Sequence, residues 1–134
     1  MRTEDGDIRI CIAARRDSDA IAELDRRALI GEMALFDGTD PGSSDTALRL
    51  SNMRLLLIRR QSGFRNVCAI GYAEMRQPKY EPGGNGQRCR VRVSLADGRL
   101  LEISAIDRSC GQTVARILAD RVRKARLHTY EGRI

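Results

Sequence analysis

The stretch DRSCGQTVARILADRVRKAR, residues 107–126, contains the residue types that best suit binding chemistry. Its first part is small and polar and includes Gly111, whereas its second part is amphipathic with helical spacing. A glycine-containing turn that leads into a helix offers backbone amides to an anion, and the helix dipole favours negative charge there. The stretch therefore predicts either a phosphate-binding turn or a plain connection before a helix.

Cysteine and histidine side chains are the other candidates for ligand or nucleophile chemistry. The sequence has Cys11, Cys68, Cys89, Cys110 and a single histidine, His128. None of the cysteines forms a CxxC pair, and a zinc site requires four clustered ligands. We therefore expect no metal site, and we interpret the three cysteines in strand-like runs as buried free thiols.

The balance of charge predicts an anionic partner. The chain carries 24 Lys+Arg against 18 Asp+Glu, a net charge of +6, and almost all of the positive charge is arginine. Aromatic residues make up only 4% of the sequence, so a stacking ladder for single-stranded bases is not expected. Nucleic acid, a phosphorylated cofactor or an acidic protein would suit this charge. A solvated arginine-rich surface with no partner is the alternative.

The length of 134 residues predicts one domain, residues 1–134, that is large enough to bury a core. No apolar run approaches the ~18 residues of a membrane span, and the N-terminus lacks the apolar segment of a secretion signal. These observations predict a cytoplasmic protein with no membrane partner.

Hydrophobic periodicity predicts an α+β (α/β) protein with a mixed, mostly antiparallel sheet flanked by helices. The sharpest signal is a hairpin in which RVRVSL and RLLEISAI flank Ala96-Asp97-Gly98, with a positive φ at Gly98. The last helix should bury a face that contains Val114, Ile117, Leu118, Val122 and Ala125. The other expected elements are a strand at 7–14, a helix at 17–31, a loop at 36–45, a short helix at 46–53, a hairpin of 53–60 with 66–76, an irregular segment at 77–87 and a last strand at 127–134.

Three stretches in this order resemble the GNAT family of N-acetyltransferases. IRICIAARRDSDAIAELDRRA is similar to the opening strand and helix of that family. VCAIGYAEMRQP is similar to its third strand, with the Gly-aromatic pair Gly71-Tyr72. LLEISAIDRSCGQTVARILADRVRKAR is similar to its fourth strand, cofactor loop and third helix.

The resemblance implies that amides of residues 111–115 face an open cleft and bind the pyrophosphate of acetyl-CoA. The family's loop has Gln or Arg, two residues, Gly, one residue, then Gly or Ala. One alignment places Cys110, Thr113 and Ala115 at these positions, and another places Arg108, Gly111 and Thr113 there. The implied cofactor-binding residues are Ile106, Arg108, Gly111, Gln112, Thr113, Val114, Ala115 and Arg116.

The same resemblance implies an acetyl transfer to an amine, on a small molecule or a protein. Glu102 lies in the fourth-strand segment, where the family often keeps a general base, and Glu74 is a weaker candidate. Tyr130, close to the end of the sequence, is the candidate acid.

A non-enzymatic binder is the alternative hypothesis. A small basic α+β protein, built as a β-grasp-like module from the hairpin and last helix, would suit a phage- or plasmid-type inhibitor or regulator of a nucleic acid or nucleoprotein complex. Either hypothesis allows a homodimer.

Overall fold

The computed structural model describes residues 6–61, 63–84 and 88–131, with the side chains of 61 and 128–131 excepted. Within these ranges the fold has eight strands and two α-helices. Their bounds are β1 Ile8–Ala14, α1 Asp19–Arg26, β2 Ala34–Thr39, β3 Ala47–Ser51, β4 Arg54–Gln61, β5 Phe64–Gly71, β6 Lys79–Glu81, β7 Cys89–Ser94, β8 Leu100–Ala105 and α2 Arg108–Glu131. A 3₁₀ turn, Tyr72–Glu74, follows β5.

The strands form one sheet in the order β5-β4-β3-β2-β1-β8-β7-β6. β1 joins its two halves, because Ile8–Ile12 pair with β8 and Ala13–Ala14 pair with β2. The β1–β8 pairing is parallel, whereas the remaining pairings between these strands are antiparallel. The predicted class, α+β with a mostly antiparallel sheet and helices, is therefore confirmed.

Side chains alternate between two apolar clusters on opposite faces of the sheet. Leu55 and Leu57 of β4 join the main core, to which α2 contributes Val114, Leu118 and Val122. Their neighbours in sequence, Leu56 and Ile58, point the other way and pack against α1. The two helices thus lie on opposite faces of the sheet. The predicted buried face of the last helix is confirmed at Val114, Leu118 and Val122, while Ile117 and Ala125 are only partly buried.

Buried ion pairs fix α1 and the segment after it to the sheet. Arg49 of β3, 5% exposed, donates to Asp37 at 2.7 and 3.0 Å and to Asp25 of α1 at 2.5 Å. Hydrogen bonding to Asp37 raises the pKa of Arg49 above its ordinary value. Burial acts to raise the pKa of Glu32, but hydrogen bonds from Arg54, from the Ser51 hydroxyl and from a backbone amide outweigh it and lower that pKa to about 2.

Both predicted hairpins are confirmed, as β4–β5 and β7–β8, and Gly98 has φ of 93°. Several other expected elements are wrong. Residues 46–53 contain strand β3 rather than a helix, and 36–45 contain most of β2. The first helix ends at Arg26, before Gly31. Residues 127–131 continue α2 instead of forming a strand, and residues 132–134 lie outside the described part.

Candidate anion-binding surface

The turn before α2 is closed by its own hydrogen bonds. Asp107 caps the helix, since its Oδ1 accepts from the amide of Cys110 at 2.6 Å. The amide of Gly111 donates to the carbonyl of Asp107 at 3.2 Å, and the amides that follow lie inside the helix, where each bonds to the carbonyl four residues earlier. The expectation that amides 111–115 face an open cleft is therefore wrong in this structure.

Gly111 is required for close packing. A Cβ at this position would lie 2.5 Å from Cys89 Sγ and 3.3 Å from Cys89 Cβ. Cys89 is itself buried, and its thiol donates to the carbonyl of Asp107 at 3.3 Å. The missing side chain lets α2 approach β7, so the glycine that suggested a phosphate turn instead serves the contact between helix and sheet.

The other predicted cofactor residues are scattered over different environments. Val114 is fully buried in the core, and the Thr113 hydroxyl donates to the carbonyl of Ser109 at 3.0 Å. Ala115 is partly buried. Solvent-exposed positions are occupied by Ile106, Arg108, Gln112 and Arg116. Among these residues, Arg116 lines the groove described below.

Glu102, the predicted base, lies on the solvent side of β8 and pairs with Arg92 Nε at 3.3 Å. Glu74 accepts a hydrogen bond from the amide of Gly71 at 2.9 Å. The side chains of Tyr130 and His128 lie outside the described part, so the structure does not place the predicted acid relative to Glu102.

The four cysteines are free thiols, and Cys89 and Cys110 are buried. Burial, with Asp107 and other thiols nearby, raises the pKa of Cys110 to about 11. Cys11 is half-buried and accepts from Arg88 at 2.8 Å. Within the described ranges, no group of three cysteine, histidine or acidic side chains is arranged to hold a metal.

A basic groove lies between α2 and the segment before β6. Its volume is about 490 Å³, and its residues are Gln77, Pro78, Arg116, Ala119, Asp120, Val122, Arg123 and Arg126. We call it the α2 groove. Asp120 is its one carboxylate among these described residues, and it pairs with Arg123 at 3.1 Å and Lys124 at 3.2 Å. Hydrogen bonding from Lys124 lowers the pKa of Asp120, so this group stays ionised and neutralised.

Arg116 and Arg126 remain available to a ligand. Both are exposed, and neither forms an ion pair within the part of the chain that is described. The groove therefore has an excess of positive charge, three guanidinium groups against one carboxylate that is already paired.

The basic surface continues around Gln77. This residue also borders a shallow depression of about 280 Å³ on the outer face of the sheet, next to Lys79 and Arg92. The positive charge is lower there, because two acidic residues, Glu81 and Glu102, both pair with Arg92. Sequence reasoning identified the arginines of α2, but it missed Gln77 and Pro78, since they lie in a segment expected to be irregular.

No family model matches the chain, and no curated protein matches it significantly. Two solved structures are similar. A DUF1696-family protein with a pleckstrin-homology domain, from Shewanella loihica, has a TM-score of 0.65 and 16% identity, and the similarity covers 81% of this chain and 96% of that one. A bacterial protein that contains a PH domain, from Exiguobacterium sibiricum, has a TM-score of 0.66 and 17% identity, and the similarity covers 91% of this chain and 65% of that one.

These similarities show that the chain shares a pleckstrin-homology-like fold. At such identities they concern the fold alone, and the acetyltransferase resemblance stays a prediction. The β7–β8 hairpin and helix α2, on which the β-grasp alternative rested, are present. The two strands of this hairpin are part of a larger eight-stranded sheet. Neither helix in the described residues is long and apolar enough to cross a membrane.

Proposed function

We propose that this chain is a non-enzymatic binding domain that contacts the phosphate backbone of a nucleic acid through the α2 groove. The observation that carries the proposal is the set of three arginines along one wall of that groove, two of them without an acidic partner in the described structure. Guanidinium groups bind phosphates with paired, charge-assisted hydrogen bonds.

The spacing of these arginines suits an extended polyanion. Arg116 and Arg126 are ten residues apart on one helix, which corresponds to about 15 Å along its axis. Arg123 lies between them. A row of this length reaches several phosphates of one strand, whereas a single small anion could contact only part of it.

The residues of the groove favour contacts with the phosphates of a nucleic acid over recognition of its bases. Its lining contains no aromatic side chain among the described residues, so bases cannot stack there. Contacts to phosphate fix position but carry no sequence information directly. We therefore expect binding that depends strongly on salt and weakly on sequence.

Fluorescence anisotropy with a short labelled DNA duplex, at salt concentrations from about 50 to 200 mM, tests the proposal. The triple variant Arg116→Gln/Arg123→Gln/Arg126→Gln should weaken binding and reduce the slope of log K against log[salt] by about 2–3, since each lost phosphate contact removes about 0.9.

A matched control removes the same charge from the opposite side of the sheet. Arg16→Gln/Arg26→Gln/Arg27→Gln alters exposed arginines on and beside α1. This variant should keep the wild-type slope. Equal losses in the two triple variants, or no binding to the duplex, would overturn the proposal. Binding to anionic lipid vesicles but not to the duplex would assign the groove to a membrane surface instead.

The acetyltransferase hypothesis has a separate test. A ligand at 100 times its dissociation constant should stabilise the folded state by about 2.7 kcal/mol. Because the amide of Gly111 already donates to the carbonyl of Asp107, and the space beside its Cα is occupied by Cys89, we expect no thermal shift with acetyl-CoA. A clear shift would contradict the non-enzymatic proposal.

A further inference from the structure

The two edges of the sheet are protected very differently. β6 has three residues, begins with Lys79 and lies between Pro78 and Pro82. Short length, lysine and flanking proline are features that prevent an edge strand from pairing with another chain. β5 at the other edge has eight residues, FRNVCAIG, with no proline or lysine and with Arg65 as its single charge.

One side of β5 is free to pair. β5 pairs with β4 along its full length, from Phe64 to Gly71, and no other strand in the described ranges lies beside it. The amide of Gly71 already donates to Glu74 at 2.9 Å, so further pairing would end at Ile70. Residues 64–70 therefore form the open edge, and Val67 is its midpoint.

Exposed apolar side chains lie beside this edge. Val67 and Ala69 of β5 line a shallow groove of about 390 Å³ with Leu29 and the buried Leu56, and Arg27 and Arg54 complete its lining. Leu29 is 52% exposed, and the adjacent Ile30 is fully exposed. Phe64, at the start of the strand, is 74% exposed. An unprotected edge flanked by apolar surface marks a site of association.

We infer that two copies of this chain form a twofold dimer by antiparallel pairing of their β5 strands about Val67. A twofold axis at Val67 places Val67 opposite Val67 of the partner subunit. It also places Arg65 opposite Ala69 of the partner subunit and the exposed Phe64 opposite Ile70 of the partner subunit.

Charge and side-chain size favour this pairing. The two Arg65 side chains are kept four residues apart along the ladder, about 14 Å, so like charges do not face each other. Each arginine faces a small exposed alanine. Within its own chain Arg65 pairs with Asp45 at 3.2 Å and with Glu23 at 3.8 Å, which further reduces repulsion between the two copies. A ring built from β5 against β6 is disfavoured because Pro78 and Pro82 flank β6.

Substitutions at Ala69 test the inference, since this side chain is exposed and the fold should tolerate them. Ala69→Lys would place a like charge opposite Arg65 at two equivalent positions, whereas Ala69→Glu would place an opposite charge there. Sedimentation equilibrium should show a wild-type dimer. The lysine variant should raise the dissociation constant about tenfold and the glutamate variant should lower it.

The register has its own test. Asn66 faces Cys68 of the partner subunit in the inferred dimer, so Asn66→Cys should give a cross-linked dimer on oxidation, and Asn66→Cys/Cys68→Ser should not. A wild-type chain that is monomeric at all concentrations, or that forms larger rings, would overturn the inference. So would equal dissociation constants for the two Ala69 variants, or a cross-link that survives Cys68→Ser. None of these outcomes depends on nucleic-acid binding.

Discussion

Replacement of Gly111 by alanine tests whether this glycine serves packing. In an ordinary helix interior this change stabilises a protein by up to about 1 kcal/mol, because alanine has the higher helix propensity. Here the new Cβ would lie 2.5 Å from Cys89 Sγ, a distance at which an atom must move. The thiol cannot move freely, since it is buried and hydrogen-bonded to the carbonyl of Asp107.

The expected effect is a loss of stability. Overpacking of a core costs about 1–3 kcal/mol of unfolding free energy. Because the contact between the new Cβ and Cys89 Sγ is so short, we expect a cost near the upper end of this range. After the gain in helix propensity is subtracted, the Gly111→Ala variant should lose about 2 kcal/mol of unfolding free energy. For a domain of this size that corresponds to a fall in Tm of about 8 °C.

Urea denaturation of a double-mutant cycle measures the contact. In a Cys89→Ala background the 2.5 Å contact with Sγ is gone and the 3.3 Å contact with the Cβ at position 89 stays, so Gly111→Ala should cost much less, which gives a large coupling energy between the two positions. Ala119→Gly, at an exposed position of the same helix, measures the propensity contribution alone and should cost about 1 kcal/mol. If Gly111→Ala instead stabilises the wild-type protein, the close approach of α2 to β7 does not exist.

Three further predictions concern the core and the buried charges. Leu118→Ala should cost about 2–5 kcal/mol in chemical denaturation, because this side chain is fully buried; a cost below 1 kcal/mol would contradict the packing of α2. Asp37→Asn should cost about 3 kcal/mol, since it leaves the buried Arg49 without its main partner; unchanged stability would contradict this. The pKa of Glu32 is lowered to about 2, so its contribution is complete above its ordinary value near 4.5 and is lost as pH falls toward 2. The stability difference between wild type and Glu32→Gln should therefore shrink on acidification, and a constant difference would refute the assignment.

Strands and helices whose hydrophobic residues recur at regular spacing were predictable from the sequence. The β7–β8 hairpin was predicted because Val91 and Val93 alternate with polar residues and Gly98 supplies the turn. β3 was missed because it is buried throughout, including Arg49, whose charge is neutralised by Asp37 and Asp25. A strand buried on both faces lacks the alternation that distinguishes it from a helix.

The candidate site was only partly predictable. The resemblance implied, in one alignment, that Gly111 is small so that phosphate can approach the backbone. Close packing requires a small residue equally, and only the position of Cys89 distinguishes the two reasons. The arginines of α2 were visible in the sequence. Their neighbour Gln77 was not, because its proximity depends on tertiary structure rather than on a local pattern.

The parallel pairing of β1 with β8 has a consequence for synthesis on the ribosome. Ile8 pairs with Leu101, so β1 has no partner on that side until nearly all of the described chain has been made. Until then Ile8, Ile10 and Ile12 remain accessible to chaperones and proteases. Contacts between such distant residues also slow folding. A nascent chain arrested before residue 100 should therefore be cleaved readily within residues 8–14, whereas the completed domain should resist cleavage there.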